Sequence, residues 1–529
     1  MKQKFSIILI CLLFPLSLLA QESLTIKVKE GELWWGALTN RGRVMPLHDG
    51  PIEFNTRISQ EGNQGVPFLI SNKGRYIWSN SPFQLQFANG VININSEVDH
   101  VAVIESGSTL KETFKAAAER HFPSSGKLPN ENFFTKPQYN TWIELVYNQN
   151  QEDVLQYARN LIDNGYPAGV LMIDDNWQQQ YGNYDFRPDK FPDPKAMVDQ
   201  LHAMGFDVML WISPFVSPDG AEYRALKKKG YLLKSQSSTH QPAIFNWWNG
   251  YSAAYDLSNP DCFEFVKSEL ERLQKKYGID GYKFDAGDSH HYMTAPFVDN
   301  NGNTEAYIHT ELWAKLGLNF EFNEYRACWK MAGEALVQRL RDKKYEWEAL
   351  PILITDILNA GIMGYAYTCP DMIGGGEFSS FFDVDPADMD QELIVRSCQI
   401  HALMPMMQFS VAPWRILDNQ HAEICKKYAC LHEEFGPYIL ELANHAAKSG
   451  EPIVRYMEYE FPGQGLEDCV DQFMLGSKYL VAPMITKGTK RCVALPKGNW
   501  RDETGKKYKG GKVYEIDVPI QRLPLFERL

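Results

Sequence analysis

The sequence predicts a (β/α)8 barrel flanked by an N-terminal β-sandwich and a small C-terminal β-sandwich domain. Apolar and polar residues alternate near both ends of the chain, as they do in half-buried antiparallel strands. Between these ends, strand-like runs alternate with amphipathic helical runs over about 280 residues, close to the usual size of such a barrel. Three of the strand-like runs end in Asp, at the edge where barrels of this class carry their chemical groups.

These changes in pattern divide the chain into five segments. Residues 123–137 are predicted to form a linker because they contain Pro123-Ser-Ser-Gly-Lys-Leu-Pro129. The predicted segments are a leader at 1–20, an N-terminal β-sandwich at 21–122, the linker at 123–137, the barrel at 138–445 and a C-terminal β-sandwich at 446–529.

Residues 1–20 have the three-part pattern of a secretory signal peptide. Lys2 and Lys4 precede an apolar run that Pro15 interrupts, and Ala20 ends the segment. We expect cleavage after Ala20 and export to the periplasm, the cell surface or the medium; the alternative is an uncleaved membrane anchor. No later segment approaches 18 consecutive apolar residues, so the sequence predicts no membrane span after cleavage.

The composition argues against several classes of protein. Apolar residues make up 44% of the chain and charged residues 22%, which excludes wholesale disorder. With 53 basic and 66 acidic side chains the net charge is −13, which argues against a nucleic-acid partner. The eight cysteines after the leader have no zinc-knuckle spacing, so we expect mostly free buried thiols with at most one disulfide.

The barrel strands are predicted from short apolar runs separated by helical patterns. One helix between the first two strands has an apolar face, and further helices are predicted at 194–204 and 260–277. That apolar face consists of Val154, Leu155, Ala158, Leu161 and Ile162. The predicted strands are 141–145, 168–173, 207–212, 281–284, 325–329, 336–340, 364–368 and 405–410.

Carboxylates follow three of these strands. Asp174 and Asp175 follow the second strand, Asp285 the fourth and Asp342 the sixth. Lys283 lies two residues before Asp285, so both side chains face the barrel mouth. A neighbouring ammonium lowers the pKa of a carboxyl and keeps it ionised, as a nucleophile requires. A second carboxyl with fewer cationic neighbours can stay protonated, and glycoside hydrolysis uses two carboxyls in these two states.

A metal site is the first alternative for this region. Asp285, Asp288, His290 and His291 include hard and imidazole ligands, but no ordered ligand motif accompanies them. The sequence also contains no Gly-x-Ser-x-Gly elbow and no glycine-rich phosphate loop.

Three tryptophans lie at or after predicted strand ends. Trp177, Trp211 and Trp414 are in positions from which an indole ring can line a sugar pocket. The alternative is that each ring packs against a flanking domain.

Four motifs along the chain resemble those of one enzyme family. They are Lys283-Phe-Asp285-Ala-Gly, the Asp174–Asp175 pair, Pro370-Asp-Met-Ile-Gly374 and Phe473-Met-Leu-Gly-x-x-Tyr-Leu-Val-Ala-Pro483. As a set they resemble glycoside hydrolase family 31, and most closely its branch with the myogenesis-regulating glycosidase and bacterial α-galactosidases. The resemblance implies a β-sandwich, a (β/α)8 barrel and C-terminal β-domains. It also implies retaining hydrolysis of an oligosaccharide or other α-glycoside without a cofactor.

The resemblance also implies roles for single residues. Asp285 matches the nucleophile of the family, and Asp342, five residues before Trp347, matches the acid/base. Arg326 matches an arginine that contacts the sugar near the reaction centre. The predicted substrate-binding residues are Asp174, Asp175, Trp177, Trp211, Lys283, Arg326, Asp371 and Trp414.

The chain departs from the α-glucosidases of that family at three places. Arg339 replaces a Trp before the acid/base, Ser410 replaces a sugar-binding His, and Asp285-Ala-Gly-Asp288 replaces Asp-Met-Asn-Glu. These differences favour an α-galactosidase. An α-glucosidase or other α-hexosidase with the same machinery is the alternative, and a non-catalytic carbohydrate-binding relative is the alternative of another class.

The neighbours of Asp342 also differ from the family pattern. Arg341 and Lys343 replace Gly and Asn, and two cations there would lower the pKa of Asp342 unless their side chains point away. The retaining mechanism predicts that the carboxyls of Asp285 and Asp342 lie about 5 to 5.5 Å apart. The sequence gives no indication of the oligomeric state.

Overall fold

The computed structural model of the chain describes residues 22–48, 50–57, 64–96, 100–237, 239, 241–381 and 385–529. The predicted leader at 1–20 lies outside the described residues. The described chain contains an eight-stranded parallel sheet between two all-β regions, so the predicted fold class is confirmed.

The parallel sheet is a closed barrel in which the strands follow one another in chain order. Strand eight pairs with strand one, and a parallel bridge between Met372 and Gln408 connects the end of strand seven to strand eight. Barrel strands one to eight are Gln138–Asn140, Val170–Ile173, Asp207–Ile212, Gly281–Phe284, Phe322–Tyr325, Val337–Arg339, Thr368–Cys369 and Gln408–Phe409.

Helices surround the barrel except between strands five and six. The described residues 326–336 there contain no helix, and Cys328–Trp329 instead pairs with Gln64–Gly65 of the N-terminal region. The principal helices that follow the other strands are Gln151–Asp163, Pro194–Ala203, Pro260–Tyr277, Ala306–Gly317, Ala349–Ile362, Gln391–Ala402 and Asn419–Ser449. Shorter helices are Asn132–Thr135, Trp142–Leu145, Ala221–Lys229, Ser289–Tyr292, Pro413–Ile416 and Met457–Glu460.

The helix before strand four shows how local sequence sets these boundaries. The Asn259 side chain caps its first turn by accepting from the Asp261 N–H, Pro260 occupies the first turn, and Gly278 ends it at φ +82°. Its buried face packs against the barrel, where the Leu270 carbonyl accepts from Tyr282 Oη of the strand that precedes Asp285. That face consists of Cys262, Val266, Leu270, Leu273 and Tyr277.

Three predicted strands are wrong in detail. The seventh, predicted at 364–368, is Thr368–Cys369 and shares only Thr368 with the prediction, because the helix Ala349–Ile362 and the turn after it precede the strand. Residues 141–145 are not the first strand, because Asn140 Oδ1 accepts from the Trp142 N–H and starts the short helix Trp142–Leu145. The predicted fifth strand combines two elements, since barrel strand five ends at Tyr325 and Cys328–Trp329 belongs to another sheet. In the first helix, Ile162 is 41% exposed and lies outside the buried face.

The N-terminal region contains two antiparallel sheets. Residues 110–121 form a helix, Leu110–His121, which leads from these sheets towards the barrel. Asn359 Nδ2 donates to the Leu38 carbonyl at 2.9 Å and connects the region to the helix after strand six. The strands are Glu22–Lys27, Val91–Ser96, Gln84–Ala88 and Ile52–Asn55 in one sheet, and Trp34–Leu38, Gln64–Ser71, Arg75–Trp78 and Ala102–Glu105 in the other.

The C-terminal region is a small sandwich of a six-stranded sheet and a two-stranded one. The six strands are Val454–Arg455, Phe473–Leu475, Tyr479–Val481, Leu525–Arg528, Asn499–Asp502 and Lys507–Lys509, and the two are Lys490–Leu495 and Lys512–Asp517. All eight cysteines between residues 262 and 492 are free. Among the described residues, no helix combines the length and apolar character needed to cross a membrane.

Candidate active site

A cavity of about 410 Å³ opens at the carboxyl ends of the barrel strands. Most of the predicted site residues line it. Its walls are formed by Trp142, Tyr147, Asp174, Asp175, Trp211, Trp248, Lys283, Asp285, Arg326, Arg339, Asp342, Lys344, Met372, Gly376, Glu377 and Phe378.

Asp285 is held rigidly at the end of strand four. Its Oδ2 accepts from Trp211 Nε1 at 2.7 Å and its Oδ1 accepts from the Ala286 N–H at 2.9 Å. Lys283 Nζ lies 3.8 Å from Asp285 Oδ2. Burial alone would raise the pKa of Asp285, but the charges of Lys283, Arg326 and Arg339 outweigh it and hold that pKa below its ordinary value. The carboxylate is therefore ionised and aimed into the cavity.

Lys283 connects Asp285 to the second carboxylate site. Its Nζ donates to Asp174 Oδ2 at 2.7 Å, and both side chains are almost completely buried. Burial would lower the pKa of Lys283, yet the charges of Asp174 and Asp285 raise it above its ordinary value. Lys283 is therefore a fixed cation between the ends of strands two and four.

Asp175 points into the same cavity from the end of strand two. Its Oδ2 accepts from Tyr181 Oη at 3.0 Å and from Asn249 Nδ2 at 2.9 Å, and its Oδ1 accepts from the Asn176 N–H at 2.7 Å. Burial, followed by the charge of Asp174, raises the pKa of Asp175 to about 7. The pair of adjacent carboxyls thus offers hydrogen-bond acceptors to a hydroxylated ligand.

Asp342 lies on the loop after strand six and is the least buried of these carboxyls, with 39% of its side chain exposed. Its Oδ1 accepts from Arg339 Nη1 at 2.5 Å, and its Oδ2 lies 3.9 Å from Arg326 Nη1. Burial would raise the pKa of Asp342, but these two guanidinium groups hold it well below its ordinary value. Asp342 is therefore ionised.

The cations next to Asp342 in the sequence point elsewhere. Lys343 Nζ lies 3.3 Å from Asp356 Oδ2, and the charges of Lys343 and Arg341 both act on Asp356. The Lys343 side chain therefore points away from Asp342, which is the condition under which the sequence predicted that these neighbours would not lower its pKa. The principal cation at Asp342 is Arg339, three residues earlier on the strand itself.

Asp371 lies behind the cavity wall and does not line it. It is fully buried, its Oδ1 accepts from Arg339 Nη1 at 3.1 Å, and its Oδ2 accepts from the Lys343 N–H at 2.7 Å. The predicted contact of Asp371 with a substrate is therefore wrong in this structure. Arg339 connects Asp371 to Asp342, because one nitrogen of its guanidinium group contacts both carboxyls.

Arg326 follows strand five and connects several parts of the cavity. Its Nε donates to Asp288 Oδ2 at 3.2 Å, and its guanidinium carbon lies 5.0 Å from the ring centre of Trp248. His291 Nδ1 lies 3.6 Å from the same Asp288 oxygen. Asp288 is thus directed towards Arg326 and not towards Asp285. Within the described part of the chain, no three His, Cys, Asp or Glu side chains come together in a way that could hold a metal ion.

Two of the three predicted tryptophans do not reach the cavity. Trp177 is fully buried, packs on Phe186 and donates its Nε1–H to the Trp211 carbonyl at 2.7 Å. Trp414 packs between Tyr157 and Tyr166 on the outside of the barrel. These two placements correct the prediction, because an indole ring near a strand end is as easily drawn into the core. Trp211 alone of the three lines the cavity.

Comparison with known domain families assigns the chain. Residues 136–442 match the family described as "Glycosyl hydrolases family 31 TIM-barrel domain", and residues 450–529 match "Glycosyl hydrolase family 31 C-terminal domain". The chain belongs to glycoside hydrolase family 31. The predicted resemblance is confirmed.

Two relatives within family 31 show how far their sequences differ from this chain. The myogenesis-regulating glycosidase of Mus musculus is 30% identical over 423 residues, which cover 78% of this chain and 59% of the mouse protein. Alpha-glucosidase 2 of Bacillus thermoamyloliquefaciens is 25% identical over 411 residues, which cover 72% of this chain and 50% of the enzyme. The chain thus spans half to three fifths of the length of these relatives.

Solved structures of family 31 share the fold. A Flavobacterium johnsoniae dextranase complexed with glucose matches with a TM-score of 0.84 at 19% identity, over 96% of this chain and 66% of that one. An α-xylosidase from a soil metagenome complexed with xylose matches with a TM-score of 0.83 at 22% identity, over 96% and 79%. At these identities the likeness concerns the fold alone.

Several residues of the cavity were not predicted from the sequence. Trp142, Tyr147 and Phe378 form an aromatic cluster at its rim, with ring centres 5.3–6.3 Å apart. Trp248 and Asn249 enter from the turn of the hairpin Phe245–Ala254. The sequence signal was the density of aromatic residues in loops that follow barrel strands. A misplaced first strand hid Trp142, and the others belong to no regular pattern.

Proposed function

We propose that the protein is an exported retaining α-glycosidase that removes terminal α-galactosyl groups, with Asp285 as nucleophile and Asp342 as acid/base. The observation that carries the proposal is the pair of carboxyls that line one cavity, of which Asp285 is buried and fixed while Asp342 is partly exposed. Two carboxyls of different character at one cavity are what the retaining mechanism requires.

The first step is attack by Asp285 on the anomeric carbon. The Trp211 and Ala286 hydrogen bonds fix the carboxylate, and Lys283 keeps it ionised. As the Asp285 oxygen bonds to the sugar, the glycosidic bond breaks and Asp342 protonates the leaving oxygen. Asp342 then takes a proton from water, which displaces Asp285 and releases the sugar with its α configuration.

Two departures from the α-glucosidases and the charge beside Asp174 support galactose over glucose. Arg339 and Ser410 replace the Trp and the sugar-binding His of α-glucosidases, and Ser410 Oγ is used to accept from the Ile143 N–H at 2.8 Å. Lys283 occupies one oxygen of Asp174 at 2.7 Å and so places a cation beside the hydroxyl-binding carboxyls. The axial O4 of galactose needs hydrogen-bond partners in other positions than the equatorial O4 of glucose. The relatives named as α-glucosidase and α-xylosidase make those sugars the second candidates.

The decisive experiment measures hydrolysis of the p-nitrophenyl α-glycosides of galactose, glucose and xylose. Wild type is compared with Asp285→Asn and Asp342→Asn, and we expect kcat for the galactoside to fall by about 10⁴-fold or more in Asp285→Asn. Asp280→Asn is the matched control, because Asp280 immediately precedes the same strand at its other end, where its Oδ2 accepts from the Val208 N–H.

Other outcomes distinguish the alternatives. Turnover of the glucoside or xyloside alone keeps the mechanism and rejects galactose. Activity that survives Asp342→Asn on a substrate with a poor leaving group places the acid/base elsewhere. Binding of galactosides without turnover of any glycoside supports the non-catalytic relative.

Export is part of the proposal and has its own test. The Lys2-to-Ala20 segment motivates it. N-terminal sequencing of protein recovered from the periplasm, cell surface or medium is expected to begin at Gln21. Recovery of an intact Met1 terminus in the membrane fraction would support the anchor instead.

A further inference from the structure

Asp342 has an unusual state for a general acid, because two guanidinium groups hold it ionised. Arg339 donates to its Oδ1 and Arg326 lies 3.9 Å from its Oδ2. An acid that must deliver a proton needs that proton close by when the substrate binds. A second carboxyl group, Asp371, lies on the same guanidinium nitrogen.

The oxygens of these two carboxyls converge on one place. Arg339 Nη1 lies 2.5 Å from Asp342 Oδ1 and 3.1 Å from Asp371 Oδ1. A Cβ atom added to Gly376 would lie 2.8 Å from that Asp342 oxygen and 2.9 Å from that Asp371 oxygen. Asp342 reaches the cavity, whereas Asp371 is fully buried behind it.

The surroundings decide which of the two holds a proton. Asp342 faces two guanidinium groups, while Asp371 is desolvated and faces the negative charge of Asp342. Burial and that charge raise the pKa of Asp371 to about 7, although Arg339 and Lys343 oppose the rise.

The other titratable groups at Asp371 do not compete for this role. His401, on the helix Gln391–Ala402, contacts the Asp371 backbone, and burial lowers its pKa to about 4, so its ring is neutral. Lys343 pairs with Asp356, and Glu324 lies on the far side of Arg339, 3.6 Å from Nε.

We propose that Asp371 is a positioning residue that holds the proton which Asp342 delivers to the leaving group, and that this proton passes between their Oδ1 atoms. The proposal rests on the assignment of Asp342 as the acid/base. In the first step the proton moves from Asp371 to Asp342 and then to the glycosidic oxygen, as the bond to the anomeric carbon breaks. In the second step Asp342 takes a proton from the attacking water and returns it to Asp371.

The test uses two α-galactosides that differ only in the need for an acid. Methyl α-galactoside has a poor leaving group that must be protonated, whereas 2,4-dinitrophenyl α-galactoside has one that leaves without help. For Asp371→Asn we expect kcat/KM on the methyl glycoside to fall by about a hundredfold or more, within the range that general acid catalysis contributes. On the dinitrophenyl glycoside we expect a change within about threefold.

Asn is the best replacement because Asp371 has φ +87°, a backbone conformation that Asn tolerates. The control is Glu324→Gln. Glu324 is the other buried carboxyl beside Arg339, but it lies at Nε and does not contact Asp342. It is expected to lower both rates by the same factor. A merely structural role for Asp371 predicts the same uniform loss for Asp371→Asn.

Gly376→Ala is a second variant in case Asp371→Asn does not fold. Its methyl group would enter between the two Oδ1 atoms and keep every charge in place. It is expected to reduce the ratio of methyl to dinitrophenyl hydrolysis in the same direction, whatever its effect on KM.

The pH profile provides an independent readout. In wild type the alkaline limb of kcat/KM reports the shared proton, and Asp371→Asn is expected to move it to lower pH because Asp342 alone is held ionised. An unchanged alkaline limb, or equal losses on both substrates in both variants, overturns the inference and leaves the proposed function intact. Failure of wild type to hydrolyse any α-glycoside overturns both.

Discussion

The ends of barrel strands four and six each carry one of the two proposed catalytic carboxyls, but their surroundings differ. At strand four, Lys283 and Asp285 are two residues apart on one face, both are buried, and Trp211 from the adjacent strand fixes the carboxylate. After strand six, Asp342 lies on a loop and 39% of its side chain is exposed. Its principal cationic partner is the Arg339 guanidinium group.

This difference fits the two roles. A nucleophile acts at one position and benefits from being rigid and permanently ionised. An acid/base changes its protonation twice in each cycle and needs access to a proton and to water. The end of strand four therefore has a fixed charge state, whereas the end of strand six has a charge network that can redistribute a proton.

Replacing Lys283 by Met is expected to have the largest effect on the strand-four site. Asp174 and Asp285 would then be buried carboxylates without their shared cation, so the free energy of unfolding should fall by about 3–5 kcal/mol. Because Lys283 helps to hold the pKa of Asp285 low, the acidic limb of kcat/KM should move to higher pH. Urea unfolding and a pH–rate profile measure the two effects. An unmoved acidic limb would mean that Lys283 does not control Asp285.

Trp211→Phe is expected to have an intermediate effect, and Trp177→Phe is its matched control. Trp211→Phe removes the hydrogen bond to Asp285 Oδ2, and a bond to a charged group contributes about 1.5–3 kcal/mol, so kcat/KM should fall about ten- to a hundredfold. Trp177→Phe removes a bond to a backbone carbonyl and should lower the free energy of unfolding by about 1–3 kcal/mol. Equal losses of kcat/KM in the two variants would contradict the placement of Trp177 outside the cavity.

The last comparison concerns the cations near Asp342, among which Arg341 is expected to have the smallest effect. Arg341→Gln should leave the alkaline limb of kcat/KM where it is, because the Arg341 charge acts on Asp356. Arg339→Gln should move that limb to higher pH, since Asp342 loses the cation that lowers its pKa. Measuring kcat/KM over a pH series for the two variants tests both expectations. A shift with Arg341→Gln and none with Arg339→Gln would restore the expectation from sequence neighbours.

The two strand ends also differ in how far the sequence predicted them. Residues i and i+2 of a strand share a face, so the Lys283–Asp285 pair followed from the sequence alone. No such rule covers the loop after strand six. Arg341 and Lys343 are adjacent to Asp342 in the chain, but backbone direction in a loop is set by its contacts, and both charges face Asp356.

Contacts between residues distant in sequence also explain why some strands were predicted wrongly. Helices with caps and strands with long apolar runs were predicted well, as at Pro260–Tyr277 and Asp207–Ile212. The first strand was misplaced because a side-chain hydrogen bond from Asn140 turned the chain, and the fifth was joined to residues that pair with the N-terminal sheet. In both places the conformation depends on whether the backbone bonds to a neighbouring residue or to one distant in the sequence.

The sequence by itself determined the order of strands and helices, the family, and the carboxylates that follow strands two, four and six. These properties follow from periodicity and from motifs in which the interacting residues are neighbours. Only the tertiary structure decided that Trp177 and Trp414 pack away from the cavity, that Asp371 lies behind it, and that Arg339 connects Asp371 to Asp342. Each of these depends on side chains from different strands, whose distances are set when the barrel closes.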